Sequence, residues 1–310
     1  MPSFFKKHGA TLLLVLVFLA GISLLLYPTV SDYWNGLHQS RAIAGYDGAV
    51  QELNQTDYER MLAEAQSYNE ALRQNPARFS PTEAEEKQYE MLLNVSGTGI
   101  MGYVEIPKLG TKLPVYHGTD DAVLQIAIGH IEGSSLPVGG PGTHSVLSGH
   151  RGLPSAKLFT NLDQLSEGDV FDLHVLGDVL RYEVDQILVV LPQEMDALAI
   201  EEGQDYCTLI TCTPYGVNTH RLLVRGHRIP VTDASAAGEG VYTQDDALEQ
   251  SGWFQQLFLQ IQRIPLPVVA AAAALLLLLL LLAKSGGGKS KKLKKSKRTD
   301  KTREGGEDGA

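Results

Sequence analysis

The sequence predicts a mostly β chain: a closed or nearly closed β-barrel over residues 99–230, preceded by helices and set between two transmembrane helices. Residues 100–230 break into short apolar runs divided by Gly, Pro, Asn and Asp, with few helical stretches between them. Residues 50–71 and 82–93 are instead rich in Glu, Gln, Ala and Leu at helix-like spacing. Two uncharged apolar runs, residues 11–27 and 264–283, each approach the ~20 apolar residues that a membrane-spanning helix needs.

Each element follows from its residues. Residues 1–10 contain Lys6 and Lys7 and form the N-terminus. Residues 11–28 end in Leu24-Leu25-Leu26-Tyr27-Pro28, which offers no small-x-small cleavage site, so they read as an uncleaved anchor. Residues 29–98 form a helical region. Within it, Thr82-Glu83-Ala84-Glu85 after Pro81 is a helix start, because the Thr hydroxyl and the Glu carboxylate can each satisfy a free backbone N–H of the first turn. Asn75-Pro76-Ala77-Arg78-Phe79-Ser80-Pro81 is a breaker-rich loop. Strands are expected at 102–106, 113–116, 145–148, 170–175, 180–191, 207–211 and 221–225. Residues 231–262 read as a polar tether and pre-membrane helix. The run 264–283 is Ala and Leu for much of its length. A helix apolar on every side has no place in a domain this size, so it reads as a span.

Charge orients both spans. Ten Lys and Arg lie in the tail, residues 284–310, and Lys6 and Lys7 precede the first span. Positive flanks stay cytoplasmic, so both termini are expected inside and residues 29–262 outside. Gly288-Lys289-Ser290 is no phosphate loop: position 283 is alanine where a glycine is needed, and no strand precedes it. The tail reads as a basic segment lying against anionic membrane lipid. The formal net charge is −10, from 26 Lys and Arg against 36 Asp and Glu. With the termini set aside, 14 basic residues face 32 acidic ones, which argues against a nucleic acid partner. No His/Cys cluster has zinc spacing, and neither a metal nor a cofactor is expected.

The chemistry concentrates in residues 206–221, which hold both cysteines. Five residues of strand span about 16 Å and turn the two side chains to opposite faces, whereas a disulfide needs Cα atoms within about 7 Å. Free thiols follow. Cys207 lies inside the predicted strand and suits apolar filling. Cys212 lies where the strand stops and Thr213-Pro214-Tyr215-Gly216 turns, a place where an exposed thiol suits nucleophilic chemistry. If the strands pair as a hairpin, Arg221 comes beside Cys212 and can donate hydrogen bonds to a developing oxyanion. The Cys-x5-Arg loop of thiol phosphatases is absent, since eight residues separate the two. A thiol nucleophile also needs a general acid and base. His150, in Ser148-Gly149-His150-Arg151-Gly152, is one choice among His144, His220 and His227.

At these residues the chain resembles the sortases, membrane-tethered transpeptidases of Gram-positive bacteria. Thr208-Leu209-Ile210-Thr211-Cys212 is similar to their TLxTC signature. The string from Thr211 to Val224, Gly102-Tyr103-Val104-Glu105-Ile106-Pro107-Lys108, Leu113-Pro114-Val115-Tyr116-His117-Gly118-Thr119 and the run from Ser148 to Phe159 resemble class C, the pilin-polymerising branch. The similarity covers roughly residues 60–230, and the second span and long N-terminal region fit class C better than the housekeeping class A. The resemblance implies an eight-stranded sortase-type β-barrel with added N-terminal helices. It implies Cys212 as nucleophile, His150 as general acid/base and Arg221 as the oxyanion and substrate-orienting group. It further implies cleavage of an LPxTG-like sorting signal between Thr and Gly, a thioester on Cys212, and attack by a lysine amine of another pilin subunit. One departure stands out. Class C enzymes usually carry a lid in which Asp-Pro precedes an aromatic residue; here the matching positions are Asn75, Pro76 and Ala77, with Phe79 two residues later. Asn75 cannot form an ion pair with Arg221, so a weaker or more mobile lid is expected, with Phe79 as its candidate cover. The alternatives are a sortase that attaches single surface proteins to peptidoglycan, and a non-catalytic membrane scaffold on the same barrel. A papain-like protease fits less well, because its cysteine sits on a helix.

Overall fold

A computed structural model describes residues 2–231. The tether after residue 231, the apolar run 264–283 and the basic tail lie outside the described residues. Eight strands close into a barrel in the order β1-β2-β3-β4-β7-β8-β6-β5. They are β1 Ile100–Ile106, β2 Thr111–His117, β3 Ile128–His130, β4 Thr143–Ser148, β5 Val170–Val175, β6 Asp178–Val190, β7 Asp205–Thr213 and β8 His220–Ile229. β2 pairs with β3, and β4 with β7, in parallel; the remaining neighbours are antiparallel. All seven strands expected from the sequence are present. β3 was not expected: three residues are too few for an alternating pattern to show.

Alternation along the strands splits two cores. Leu147, Phe171, Leu173, Cys207, Leu209 and Val224 point inward and fill the barrel. Each fully buried Leu or Phe of this kind is worth roughly 1.5–3 kcal/mol. The opposite face of β4, β7 and β8 carries Val146, Ile210 and Leu223. Leu198, from the connection between β6 and β7, covers them.

Three helices precede the barrel: α1 Pro2–Gln51, α2 Gln55–Arg73 and α3 Glu83–Met91. Residues 13–19 of α1 are apolar and exposed, and α1 is the one helix among the described residues long and apolar enough to cross a membrane. Further along α1, Ile43 and Tyr46 pack on Ile100 and Tyr103. The Tyr46 hydroxyl donates to the Met101 carbonyl (3.0 Å) and accepts from the Leu176 N–H (2.8 Å). The helix expected over residues 50–71 is in fact interrupted: α1 ends at Gln51 and α2 begins at Gln55. Asn54 causes the break, since its side chain accepts the Asp57 N–H at 2.9 Å and caps the new helix. Thr82 starts α3 as expected, with the Glu85 carboxylate accepting the Thr82 N–H at 2.7 Å and completing the capping box.

Candidate active site

The site lies at the end of three adjacent strands. Cys212 is the penultimate residue of β7, half-buried, and Arg221 stands directly opposite it on β8. The hairpin expected from the sequence therefore forms. β4 runs parallel on the other side of β7 with Ser148 opposite Ile210. The backbone continues that pairing past the strand: Gly149 N–H donates to the Ile210 carbonyl (3.0 Å), and the Thr211 hydroxyl donates to the Gly149 carbonyl (2.8 Å). His150 follows Gly149 in this bend, at the end of the sheet where Cys212 lies. Gly149 is needed at this bend, because a Cβ there would lie 2.8 Å from both Ile128 Cγ2 and the Phe159 ring. The sequence brings His150, Cys212 and Arg221 from three separate segments onto one end of the sheet.

The guanidinium of Arg221 takes no carboxylate partner among the described ion pairs. Its Nη1 donates to the carbonyls of His220 (3.1 Å) and Asn218 (3.3 Å), both in its own turn. An arginine held only by neutral carbonyls keeps donors available for a developing oxyanion. The connections flanking this strand end expose large apolar side chains among polar ones: Tyr215 and Val217 on the β7–β8 connection are 60% and 63% exposed, and Val189, Leu191 and Met195 are exposed at and after the end of β6.

The other candidates are engaged elsewhere. Cys207 is fully buried in the barrel and free, and burial pushes its thiol pKa well up. His144 is fully buried; burial lowers its pKa to about 4, so it is neutral near pH 7. A neutral ring then donates from Nδ1 to the Ala199 carbonyl (2.8 Å) and accepts the Thr208 hydroxyl at Nε2 (2.7 Å). His227 pairs with Tyr206, at the far end of β7 from Cys212. His220 pairs with Thr213 and shares a hydrogen bond with Thr219 (2.9 Å).

The loop of residues 75–81 is held by a residue the sequence reading passed over. Arg78 forks between two loops: Nη1 donates to the Gly133 carbonyl (2.6 Å) and Nη2 to the Leu198 carbonyl (2.8 Å). Its guanidinium also lies 4.1 Å from the centre of the Phe79 ring. Phe79 packs on Gly133, where a Cβ would come within 2.8 Å of the ring. Asn75 turns inward on its own loop, accepting the Ala77 N–H at 2.9 Å, and Pro76 is exposed. Arg151 was missed as well. It lies beside His150 in sequence, yet its partner Thr213 (3.1 Å) is 62 residues away, which no local pattern reveals.

Comparison with known proteins follows the same outline. The sortase domain model matches residues 104–229. Sortase D of Bacillus subtilis is 26% identical over 190 residues, covering 60% of this chain and 92% of its own length. Among solved structures, sortase C1 of Streptococcus agalactiae is 50% identical with a TM-score of 0.60, covering 62% of this chain and all of that one. Sortase C-1 of Actinomyces oris is 45% identical with a TM-score of 0.53, covering 57% and 99%. Sortase C of Streptococcus pneumoniae is 42% identical with a TM-score of 0.55, covering 62% and 98%. With its closed eight-stranded barrel and these relatives, the chain belongs to the sortase family of cysteine transpeptidases and groups with the class C sortases.

Proposed function

We propose that this chain is a membrane-anchored class C sortase that polymerises pilins, with Cys212 as nucleophile, His150 as general acid/base and Arg221 as oxyanion donor. The observation that carries the reading is the direct pairing of Cys212 with Arg221 beside the bend that bears His150. In the first step Sγ of Cys212 attacks the Thr carbonyl of an LPxTG-like signal. Arg221 N–H groups donate to the oxyanion, and His150 protonates the departing Gly amine as the Thr–Gly bond breaks. In the second step a lysine amine of another pilin subunit attacks the thioester, gives a proton to His150, and releases Cys212 as an isopeptide bond forms. The Streptococcus pneumoniae relative is described by its pilin substrate specificity, which supports pilins as the substrate class here.

The proposed topology keeps the division read from the sequence. Residues 11–28 and 264–283 span the membrane, residues 29–98 and 99–230 form the external helical region and catalytic barrel, residues 231–262 tether them, and both termini are cytoplasmic. The exposed apolar face of α1 supports the first span. In the loop of residues 75–81, Asn75, Pro76 and Phe79 form a lid that Arg78 fastens.

The test is intact mass of the protein after exposure to an LPxTG-type peptide. An acyl adduct that maps to Cys212 is expected, and its persistence in Cys212→Ala would refute the nucleophile assignment. Offering a pilin lysine donor beside a peptidoglycan-like amine separates polymerisation from wall attachment. Covalent ladders on denaturing gels are expected; products with the wall amine alone would favour attachment of single proteins.

A further inference from the structure

The segments that carry His150 and Cys212 are joined through one guanidinium. Arg151 follows His150, and its Nη1 donates to the hydroxyl of Thr213, which follows Cys212, at 3.1 Å. Its Nη2 donates to the carboxylate of Asp163 in the short 3-10 helix Leu162–Gln164. The Arg151 side chain is only 9% exposed. The same two segments meet a second time at Gly152, whose φ is +77° and where a Cβ would lie 2.9 Å from the Tyr215 ring. Two contacts therefore bind the loop after His150 to the turn after Cys212.

Stability does not account for an arginine here. Its buried Nε has no hydrogen-bond partner among the described residues. A buried cation with an unmet donor is costly relative to an apolar filler. What the guanidinium does provide is a rigid fork with two fixed acceptors, which a lysine ammonium cannot reproduce. A local rule broken beside a reactive group is the usual mark of function.

We infer that Arg151 is a positioning residue for acyl transfer: held by Asp163, it sets the spacing between His150 and Cys212 through Thr213. This rests on the reading of Cys212 and His150 as nucleophile and general acid/base. Misplacing reacting groups by about 1 Å costs on the order of 100-fold in rate, so loss of the fork should act on kcat and leave peptide binding nearly intact.

The experiment uses the full chain in detergent with a fluorogenic LPxTG-type peptide, with rates normalised to the folded fraction. Thr213→Val keeps the side-chain shape and removes the acceptor; Arg151→Lys keeps the charge and removes the fork. Each is expected to lower kcat about 10- to 100-fold with KM changed less than about threefold. Arg151→Ala combined with Thr213→Val should be no slower than Arg151→Ala alone, because both remove one interaction. A kcat within twofold of the parent in both single variants, or fully additive losses in the double variant, overturns the inference. Cys212→Ala is measured alongside. If it retains transfer, the acyl-transfer reading and this inference fall together; if it is inactive while the Arg151 and Thr213 variants are unimpaired, only this inference falls.

Discussion

Strands β7 and β8, with β4 and the bend that follows it, hold the same three residue types in two sets. One set is His144, Cys207 and Arg225; the other is His150, Cys212 and Arg221. In the first set every group is occupied. His144 is enclosed between Ala199 and Thr208, and Cys207 is sealed in the barrel. Arg225 makes a two-pronged contact with Asp185 (2.9 and 3.1 Å) and lies 4.1 Å over the Tyr206 ring. In the second set Cys212 is half-buried and Arg221 spends its donors only on neutral carbonyls of its own turn. Residue type alone therefore does not tell the two sets apart. Uncommitted hydrogen-bonding capacity at an accessible place does.

The contrast is sharpest in the cysteines. Cys212→Ala should abolish acyl transfer, lowering it at least about 1000-fold, since no other described thiol is accessible. Cys207→Ser should leave transfer within a few-fold but destabilise the barrel by about 1–3 kcal/mol, because it buries a hydroxyl among apolar side chains. Peptide assays with denaturant unfolding of each variant check both; a Cys207→Ser enzyme lacking transfer while fully folded would break the comparison.

The arginines come next. Arg221→Lys should cost about 100-fold or more in kcat, as loss of an oxyanion donor does. Arg225→Met should leave kcat within about threefold and lower stability by roughly 1–3 kcal/mol, the scale of leaving a partly buried partner unpaired. A pair of kinetic and unfolding measurements separates the two.

Acid provides a third contrast. Burial holds the pKa of His130, His144 and His174 at about 4, below the ordinary value of 6.5. Between those values the unfolded chain binds protons at these histidines that the native chain does not, so their contribution is full above pH 6.5 and is lost as pH drops toward 4; Asp47, raised by burial to about 6, opposes them with one group against three. Urea unfolding across that window should show the loss, and His144→Gln should flatten it. A slope unchanged by that substitution would mean His144 does not carry its share.

The smallest expected effect concerns the loop of residues 75–81. Arg78→Ala removes the donors for Gly133 and Leu198, and amide exchange should rise in residues 75–81 and 196–199 together. Labelling of Cys212 by a small thiol reagent should speed up by about two- to fivefold if the loop covers the site. Exchange that rises in only one of the two segments would show that Arg78 does not couple them.

Much of this was legible beforehand for a physical reason. Seven strands declared themselves because alternation and turn residues are local signals. Cys212 and Arg221 were paired in advance because a hairpin joins near neighbours, and the two cysteines were separated by strand geometry alone. His150 needed the family likeness, since β4 reaches β7 only through parallel pairing that no local pattern encodes. β3 was too short to read, and the break at Asn54 was hidden inside an otherwise helical run although Asn54 and Asp57 held the capping signal. Arg78 escaped because its partner Gly133 lies 55 residues away, and Arg151 because its link to Thr213 spans 62.

The parallel joining of β4 to β7 also has a consequence for folding order. Cys212 and Arg221 meet within one hairpin, a contact that closes on the order of microseconds. The bond from Thr211 to Gly149 bridges 62 residues and carries the larger loop-closure entropy. A folding chain should therefore hold the Cys212 thiol beside the Arg221 guanidinium well before the bend with His150 arrives. On the proposed roles of the three residues, barrel closure then works as a timer: a half-folded chain has the thiol and the guanidinium together but lacks the histidine that would complete acyl transfer.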